Sequence, residues 1–210
     1  MEPLQEGNYY HIYNRGAGRS PIFWSDDDYA QFIKKYFYYL FLSVETYAWC
    51  LLRNHFHFLI RIRTIEEQKK LFLNVKQTYP VGTFFGDQYK STKPYIASKQ
   101  FNHLFNSYTK SINVKKDRSG TLSEGAFKRK KIIDEDHFLH IACYIHRNPI
   151  HHQIVDNYDD YDYSSYREIA QGLTTFTESD QLLTRFGGME NFIIAHREFK
   201  LILGEEFYLE

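Results

Sequence analysis

The spacing of apolar and polar residues predicts a series of short strands and amphipathic helices. The aromatic run NYYHIYNRG at 8–16 predicts a strand that ends in a glycine-containing loop. The next stretch begins with Ser25 and three aspartates and continues with apolar residues at helical spacing, so Ser25 is expected to be the N-cap of a helix. Two strand-like runs, 44–52 and 55–63, then meet at a predicted hairpin turn.

The pattern is less regular beyond this hairpin. Residues 64–95 combine a short helical start with several prolines and glycines, which predicts an irregular insertion. A helix is expected over 95–116, a basic strand within 126–133, and a helix from the acidic residues at 134–136 to Pro149. The tail predicts two short helices around Gly187 and Gly188.

The order of these elements is strand, helix, strand, strand, helix, strand, helix. A β-hairpin combined with separate helices indicates an α+β fold, with a ferredoxin-like antiparallel sheet and helices packed on one face. We expect one domain over 1–170, with the irregular insertion at about 64–95, and a short helical C-terminal extension over 171–210.

Composition narrows the class of protein. The 26 basic residues balance the 26 acidic ones, so a polyanionic partner would have to bind local patches of charge. The two cysteines lie in apolar contexts, which predicts buried thiols and no disulfide framework. The N-terminal stretch lacks the features of a secretory signal, and no apolar run approaches the roughly 20 residues of a membrane span. We therefore expect a soluble cytoplasmic protein without a membrane partner.

The stretch CLLRNHFHFLI at 50–60 carries the first candidate chemistry. His55 and His57 alternate with bulky apolar residues on the predicted strand, so their side chains share one face. Two imidazoles placed in this way suit two neighbouring ligands of one divalent ion. They would equally suit two hydrogen-bonded core histidines, each with its own buried partner. A metal site would need a third ligand from elsewhere in the chain.

The helix HFLHIACYIHRNPI at 137–150 offers that ligand. Tyr144 and Asn148 are four residues apart and therefore lie on one face, one turn from each other. An amide oxygen is a hard ligand that suits Mg²⁺ or Mn²⁺, and a tyrosine hydroxyl beside such an ion can attack a phosphodiester. The alternative is that Tyr144 belongs to the core and Asn148 caps the helix before Pro149.

Several motifs together resemble one family. YYHIYNRG, AWCLLRNHFHFLI, SGTLSEGAFKRKKI, YIHRNPI and YDYSSY occur in the order found in single-tyrosine HUH transposases. The resemblance is greatest to the REP-associated tyrosine transposases, relatives of the enzymes that move small single-stranded insertion sequences. It extends from about Tyr9 to Tyr166, and the histidine and YIHRNP blocks are its most specific parts.

The resemblance implies a role for each matching residue. His55 and His57 match the HUH histidines, Asn148 stands where the family has a polar third metal ligand, and Tyr144 matches the nucleophile. In the family this tyrosine attacks single-stranded DNA and leaves a 5′-phosphotyrosine and a free 3′-OH. The implied cofactor is a divalent metal, Mg²⁺ or Mn²⁺, and the implied partner is single-stranded or hairpin DNA. Members act as homodimers or as monomers.

Local charge suggests where DNA would bind. Four consecutive cations, Lys128, Arg129, Lys130 and Lys131, lie on the predicted basic strand. A solvated surface is the ordinary explanation of such a run, but in the family pattern this strand lies near the helix of the nucleophile. Arg15 and Arg19 follow the first strand and are further candidates.

Two further features bear on the resemblance. Ala126 stands where the family commonly has arginine, so one expected cation is missing. His151 and His152 follow Pro149 and are expected at the surface.

Three functions remain open from the sequence. The first is a metal-dependent DNA endonuclease and strand transferase, a transposase that acts on hairpin or repeat DNA. The second is a domesticated relative that binds structured nucleic acid without turnover. The third is a ferredoxin-like protein whose histidine pair holds a structural ion.

Overall fold

A computed structural model of the chain describes residues 3–78, 94–173 and 176–199, with side chains described only up to 75 in the first of these ranges. Within them the chain forms four strands, seven α-helices and two short 3-10 turns. No helix in the described ranges has the length and apolar character needed to cross a membrane. In chain order the elements are β1 Tyr9–Arg15, α1 Asp26–Leu40, β2 Val44–Leu52, β3 His55–Ile62, α2 Ile65–Thr78, α3 Ala97–Lys115, β4 Lys128–Lys131, α4 Glu135–His151, α5 Ser165–Ala170, α6 Ser179–Phe186 and α7 Met189–Arg197.

The four strands form one antiparallel sheet in the order β2-β3-β1-β4. This is the order expected when two β-α-β connections are interleaved in a ferredoxin-like fold, so the predicted fold class is confirmed. The order makes β1 and β3 neighbours at the centre of the sheet. It therefore brings together two strands that are about forty residues apart in the chain.

Two helices are longer than the sequence predicts. Residues 64–95 were predicted to begin with a short helical stretch, which is the 14-residue helix α2, while residues 79–93 lie outside the described ranges. A capping box explains this start: the Thr64 hydroxyl accepts from the Glu67 amide at 3.2 Å, and the Glu67 carboxylate accepts from the Thr64 amide at 2.7 Å.

Helix α4 was expected to end at Pro149, but it continues to His151. A proline in the last turn removes one backbone donor, while later amides still find carbonyls. The backbone N–H of His152, for example, donates to the Asn148 carbonyl at 3.0 Å. Asn148 is therefore inside the helix and does not cap it.

The described residues divide into two compact units. The first unit comprises described residues within 1–8, 25–45 and 61–120. It is built on the packing of α1 against α3, where the rings of Phe32 and Tyr108 meet edge to face with centroids 4.9 Å apart. The predicted N-cap Ser25 forms a capping box with Asp28, whose buried carboxylate also accepts from Lys115 at 2.6 Å.

The second unit comprises described residues within 9–24, 46–60 and 121–199. Its apolar core lies between α4 and the residues of β2 and β3 that belong to this unit, with α5, α6 and α7 adding further side chains. Both cysteines, Cys50 and Cys143, are free buried thiols in this core, as their apolar contexts predict. Burial raises the pKa of Cys143 to about 12, so it is a protonated core residue at neutral pH.

The outer edge of β2 is covered by segments of the second unit. The Leu51 amide donates to the Tyr163 carbonyl at 2.9 Å, and the Glu178 amide donates to the Thr46 carbonyl at 2.7 Å. All nine residues of β2 are buried. Because exposed edges of sheets invite pairing with other chains, these contacts protect β2 from edge-to-edge association.

Candidate active site

Strand β3 places the two histidines of the HFHFLI run on one face of the sheet. His55 and His57 share this face with Leu59, which packs into the core around α4. Both imidazoles are buried, with exposed fractions of 9% and 2%. A buried imidazole needs hydrogen-bond partners or a ligand, so the partners of each ring nitrogen decide what the pair can do.

His57 has one ring nitrogen with a partner and one without. Its Nδ1 lies 2.9 Å from Nε2 of His11 on β1. Its Nε2 is buried and has no hydrogen-bond partner among the described residues. Burial, with smaller contributions from His11, His55 and His152, holds the pKa of His57 well below its usual value. The imidazole is therefore neutral at physiological pH, which is the form that binds metals.

His55 and Asn148 point acceptor atoms at each other. The His55 Nδ1 lies 2.8 Å from the side-chain oxygen of Asn54, and its Nε2 lies 3.4 Å from that of Asn148. Both oxygens can only accept, and the shorter contact assigns the proton to Nδ1 and the lone pair to Nε2. The Asn148 amide donates to the Tyr144 carbonyl at 3.0 Å, which leaves its oxygen 3.4 Å from His55 Nε2. Two acceptors that face each other at this distance favour a cation beside them.

Helix α4 places Tyr144 beside the same histidines. The Tyr144 ring meets His57 edge to face, with centroids 5.6 Å apart, and meets His11 in the same way at 5.9 Å. Tyr144 and Asn148 are one helical turn apart, as their spacing predicts. The structure therefore assembles His55, His57, Asn148 and Tyr144 around one point of the second unit, although Tyr144 itself is only 3% exposed.

A cavity of about 290 Å³ opens beside the histidines. The residues that line it all have polar or charged side chains, and three of them are Arg or Lys, which suits an anionic ligand. His55 and His57 contribute to its wall, so a ligand in the cavity would lie against the imidazoles. The remaining lining residues are Tyr13, Asn14, Arg15, Arg19, Asn54, Lys128 and His152.

The four cations of β4 do not all face this cavity. Antiparallel pairing sets Lys128 opposite Tyr13 and Lys130 opposite His11. Because paired residues share a face of the sheet, these two lysines lie on the side of the histidines. Arg129 lies on the other face, and its guanidinium packs over the Phe127 ring at 5.4 Å.

The two predicted arginines after the first strand have different surroundings. Both Arg15 and Arg19 line the cavity. Arg15 also forms an ion pair with Glu124 at 2.7 Å, which lowers the pKa of that carboxylate and neutralises part of the positive charge. Arg19 has a positive φ of 61° and follows the sharp turn at Gly16, where a Cβ would lie 1.8 Å from the Ser20 carbonyl oxygen.

Three residues of the site were not assigned from the sequence. His11 contacts His57, Asn54 contacts His55, and the ring of His152 lies 4.8 Å from that of His55. His152 was expected at the surface, but it is only partly exposed and lines the cavity. The extra two residues of α4 beyond Pro149 bring it there. From the sequence, His11 could have been noticed as a histidine within an aromatic strand. Its contact with His57 could not have been predicted, because it depends on the order of the strands in the sheet.

The donor set fits a divalent cation with a preference for oxygen and imidazole. No three His, Cys, Asp or Glu side chains in the described ranges form a group that could hold a metal, so a site at His55 and His57 would take its third protein ligand from another type of group. The candidate ligand atoms are His55 Nε2, the Asn148 oxygen 3.4 Å from it, and the unpartnered Nε2 of His57. Two imidazoles with one amide oxygen could hold a divalent cation, and the set differs from a closed thiolate zinc site.

Comparison with known proteins gives one structural match. No protein-family model matches the chain, and no curated protein has a matching sequence. The fold is similar to that of a solved REP-associated tyrosine transposase bound to a REP hairpin, with a TM-score of 0.55 and 17% sequence identity. The match covers 84% of this chain and 87% of that one. The chain is therefore similar in fold, over most of its length, to a tyrosine transposase of the kind that its motifs resemble.

Proposed function

We propose that the chain is a metal-dependent single-stranded DNA endonuclease and strand transferase, a transposase that acts on hairpin or repeat DNA. The proposal rests on one observation: the imidazoles of His55 and His57, the Asn148 side-chain oxygen and the Tyr144 ring lie together in the second unit. The structural neighbour, a transposase bound to a hairpin, supports the same class of substrate. A buried site of this kind, with strongly shifted pKa values and beside a cavity, is typical of a catalytic centre.

The proposed reaction exchanges one phosphoester bond for another. The Tyr144 oxygen attacks the scissile phosphorus and loses its proton, the bond from phosphorus to the 3′ oxygen breaks, and that oxygen takes up a proton. The products are a 5′-phosphotyrosine and a free 3′-OH. Since the number of phosphoester bonds is unchanged, a 3′-OH can later reseal the strand without ATP.

The metal ligands in this proposal are His55, His57 and Asn148. A bound Mg²⁺ or Mn²⁺ would supply positive charge that polarises the scissile phosphate. The low pKa of His57 keeps its imidazole neutral, and Asn54 keeps the His55 lone pair directed toward Asn148. Because Tyr144 is buried and does not line the cavity, its side chain would have to move toward the cavity for attack.

The cavity and the cations beside it define the proposed DNA path. Lys128, Lys130 and Arg19 lie on the side of the histidines and would contact backbone phosphates. The Tyr13 ring, which stacks on His11 with centroids 4.9 Å apart, lines the cavity and offers a surface for an unpaired base. Arg129 and Lys131 lie on the opposite face, so we do not assign them to the path at the active site.

A second candidate is a nucleic-acid-binding protein without turnover. The burial of Tyr144 favours it, because a core tyrosine beside histidines needs no catalytic role. A third candidate, a ferredoxin-like protein with a structural ion, would use the same ligands without binding nucleic acid. The three candidates differ in whether DNA binds and whether it becomes covalently attached.

A covalent trapping assay separates them. The protein is mixed with labelled hairpin oligonucleotides that carry single-stranded flanks, drawn from the DNA around its own gene and from a randomised pool, with Mg²⁺ or Mn²⁺. We expect a DNA adduct that survives denaturation, appears only with metal and disappears in Tyr144→Phe. Tyr166→Phe is the matched control, because Tyr166 is an equally buried tyrosine that packs against Phe192 and His196 instead.

Each other outcome selects another candidate. Tight binding of hairpins without an adduct, in both metals and across the pool, would replace the enzyme by the binding protein. Metal affinity without any affinity for nucleic acid would select the structural ion. A paired measurement tests the DNA path: Lys128→Ala should reduce the salt dependence of hairpin binding by about one counterion, while Lys131→Ala should leave the salt dependence at the site unchanged.

A further inference from the structure

We infer that His11 and Asn54 are positioning residues that hold His57 and His55 each in one tautomer, so that both Nε2 lone pairs point at one cation. This inference rests on the proposed function and deepens it. His11, His55, His57 and Asn54 all belong to the second unit, and each lies on β1, on β3 or in the turn before β3. Neither positioning residue is itself a proposed metal ligand.

The tautomer of His55 follows from the chemistry of its neighbour. The Asn54 side-chain oxygen lies 2.8 Å from His55 Nδ1 and has no proton to donate. The proton of the neutral imidazole therefore belongs on Nδ1. Asn54 ends the hairpin turn, and its own carbonyl accepts from the Gly16 amide at 2.7 Å, which anchors its backbone to the end of β1.

The tautomer of His57 depends on a bond between two imidazoles. His11 Nε2 and His57 Nδ1 are 2.9 Å apart, so one carries a proton and the other accepts it. If His57 donates, its Nε2 keeps a lone pair that can bind a cation. If His11 donates, the proton of His57 lies on Nε2, where no acceptor exists among the described residues. A cation selects the first arrangement, because it supplies the partner that this buried nitrogen lacks.

Packing holds His11 in place for this task. Its ring is stacked between Tyr13, with centroids 4.9 Å apart, and His57, with centroids 5.1 Å apart. Tyr144 touches the same ring edge to face. The far nitrogen of His11, Nδ1, is buried and has no partner among the described residues. A side chain that served only to fill this space would be better apolar, since a buried ring nitrogen without a partner destabilises the fold.

The test measures tautomer and metal affinity directly, without using turnover. In histidine-labelled protein, ¹⁵N spectra with Mg²⁺ should show His55 and His57 protonated at Nδ1 only. His11→Phe keeps a stacked ring but removes the acceptor. We expect it to weaken Mn²⁺ binding about 10- to 100-fold in calorimetry, the usual effect of losing a partner of a metal-binding histidine. His11→Gln, which restores a carbonyl acceptor, should recover part of the affinity.

Controls separate positioning from general damage. His140→Phe changes a half-buried histidine of the same unit whose ring lies against Phe199, and it should bind Mn²⁺ as the unchanged protein does. If His11→Phe fails to fold, Asn54→Ala tests the same inference at His55, with Asn54→Asp as the variant that restores an acceptor.

The outcomes distinguish this inference from the proposed function. If folded His11→Phe or Asn54→Ala binds Mn²⁺ within about twofold of the unchanged protein, the positioning roles are wrong and the proposed function stands. A spectrum with His57 protonated at Nε2 in the presence of Mg²⁺ would overturn them as well. If the unchanged protein binds neither ion, the proposed metal-dependent function fails first, and the trapping assay shows that independently.

Discussion

The second unit contains two buried histidine pairs that look alike but differ in how their nitrogens are satisfied. His11 and His57 are joined at 2.9 Å, and His146 and His196 are joined at 2.8 Å. Burial lowers the pKa of all four, to about 3 for His11 and to about 4 for His196. All four imidazoles are therefore neutral at physiological pH.

The pair in the core has a partner for every ring nitrogen. His196 Nδ1 donates to the Phe192 carbonyl at 2.7 Å, so its Nε2 accepts from His146 Nδ1. His146 Nε2 then accepts from the Ser165 hydroxyl at 2.8 Å. This directional chain joins α4, α5 and α7. A fully connected network of this kind stabilises a core.

The pair at the candidate site leaves two nitrogens without partners in the described part of the chain, His57 Nε2 and His11 Nδ1. A buried polar group without a hydrogen-bond partner lowers the stability of the fold. Such groups occur in folded proteins where a ligand supplies the missing partner. Under the proposed function, His57 Nε2 is the nitrogen that a metal ion would bind, whereas the fully connected pair belongs to the core. Burial and pKa alone do not separate the two pairs.

The largest expected difference between the pairs is in metal binding. His57→Ala should lose all measurable affinity for Mn²⁺ and form no DNA adduct, because it removes a proposed ligand. His146→Ala should keep both properties while unfolding more easily. Calorimetry and the trapping assay on both variants make the comparison. Equal metal affinity in the two variants would remove the distinction between the pairs.

The second largest expected effect is on the pH dependence of the unfolding free energy. His196 has a pKa of about 4 in the folded protein against 6.5 as its usual value, so the unfolded state binds more protons between these limits. Stability is therefore complete above about pH 6.5 and falls as the pH drops toward 4, by roughly 3 kcal/mol for this group alone. In denaturant unfolding between pH 4 and 7, His196→Leu should remove the part of the pH dependence of the unfolding free energy that is due to His196. A slope unchanged by this substitution would contradict the assignment.

A smaller effect concerns stability at neutral pH. Replacing His11 and His57 together by apolar residues removes two unsatisfied nitrogens, so the free energy of unfolding should stay within about 1 kcal/mol of the unchanged protein or rise. Replacing His146 and His196 together removes the connected hydrogen bonds of the core pair and leaves the Ser165 hydroxyl proton only the longer contact with the Trp49 carbonyl at 3.3 Å, which should cost about 2 kcal/mol. Urea unfolding of both double variants tests this. A larger loss of stability from replacing His11 and His57 than from replacing His146 and His196 would mean that the site pair is structural.

The smallest effect is expected at Ser165, which ends the hydrogen-bonded chain through His196 and His146. Ser165→Ala removes the donor to His146 Nε2 and the acceptor of the Trp49 amide, which lies 2.9 Å from the hydroxyl, and should lower stability by about 1–2 kcal/mol. Ser111→Ala is the control, since Ser111 bonds only to the carbonyl one turn earlier in α3 and alanine suits a helix. Metal affinity should be unchanged in both.

Regular spacing explains why much of the site could be predicted. Alternation along β3 was enough to put His55 and His57 on one face, and the four-residue spacing in α4 was enough to align Tyr144 with Asn148. These are local properties, because the geometry of a strand or a helix depends on neighbouring residues. The order of elements was enough for the fold class, since few topologies connect them without crossing.

Other parts of the site could not be predicted because they depend on distant contacts. In the sequence, the four consecutive cations of β4 are indistinguishable. Pairing with β1 places Lys128 and Lys130 on the face of the sheet that carries the histidines, and Arg129 on the other face. Arg15 meets Glu124 across more than a hundred residues of chain. His152 reaches the cavity only because α4 continues past Pro149.

The sequence alone was enough to name the candidate ligands and nucleophile, because local geometry aligns them in pairs and their motifs resemble those of single-tyrosine HUH transposases. Only the folded protein revealed which nitrogens of the histidines have partners, since those partners lie on other strands and helices. The placement of β1 beside β3 pairs His11 with His57, and the packing of α4 and α7 pairs His146 with His196. Ten histidines look equivalent in a sequence, but a hydrogen bond fixes the direction of each imidazole only once its neighbours are in place.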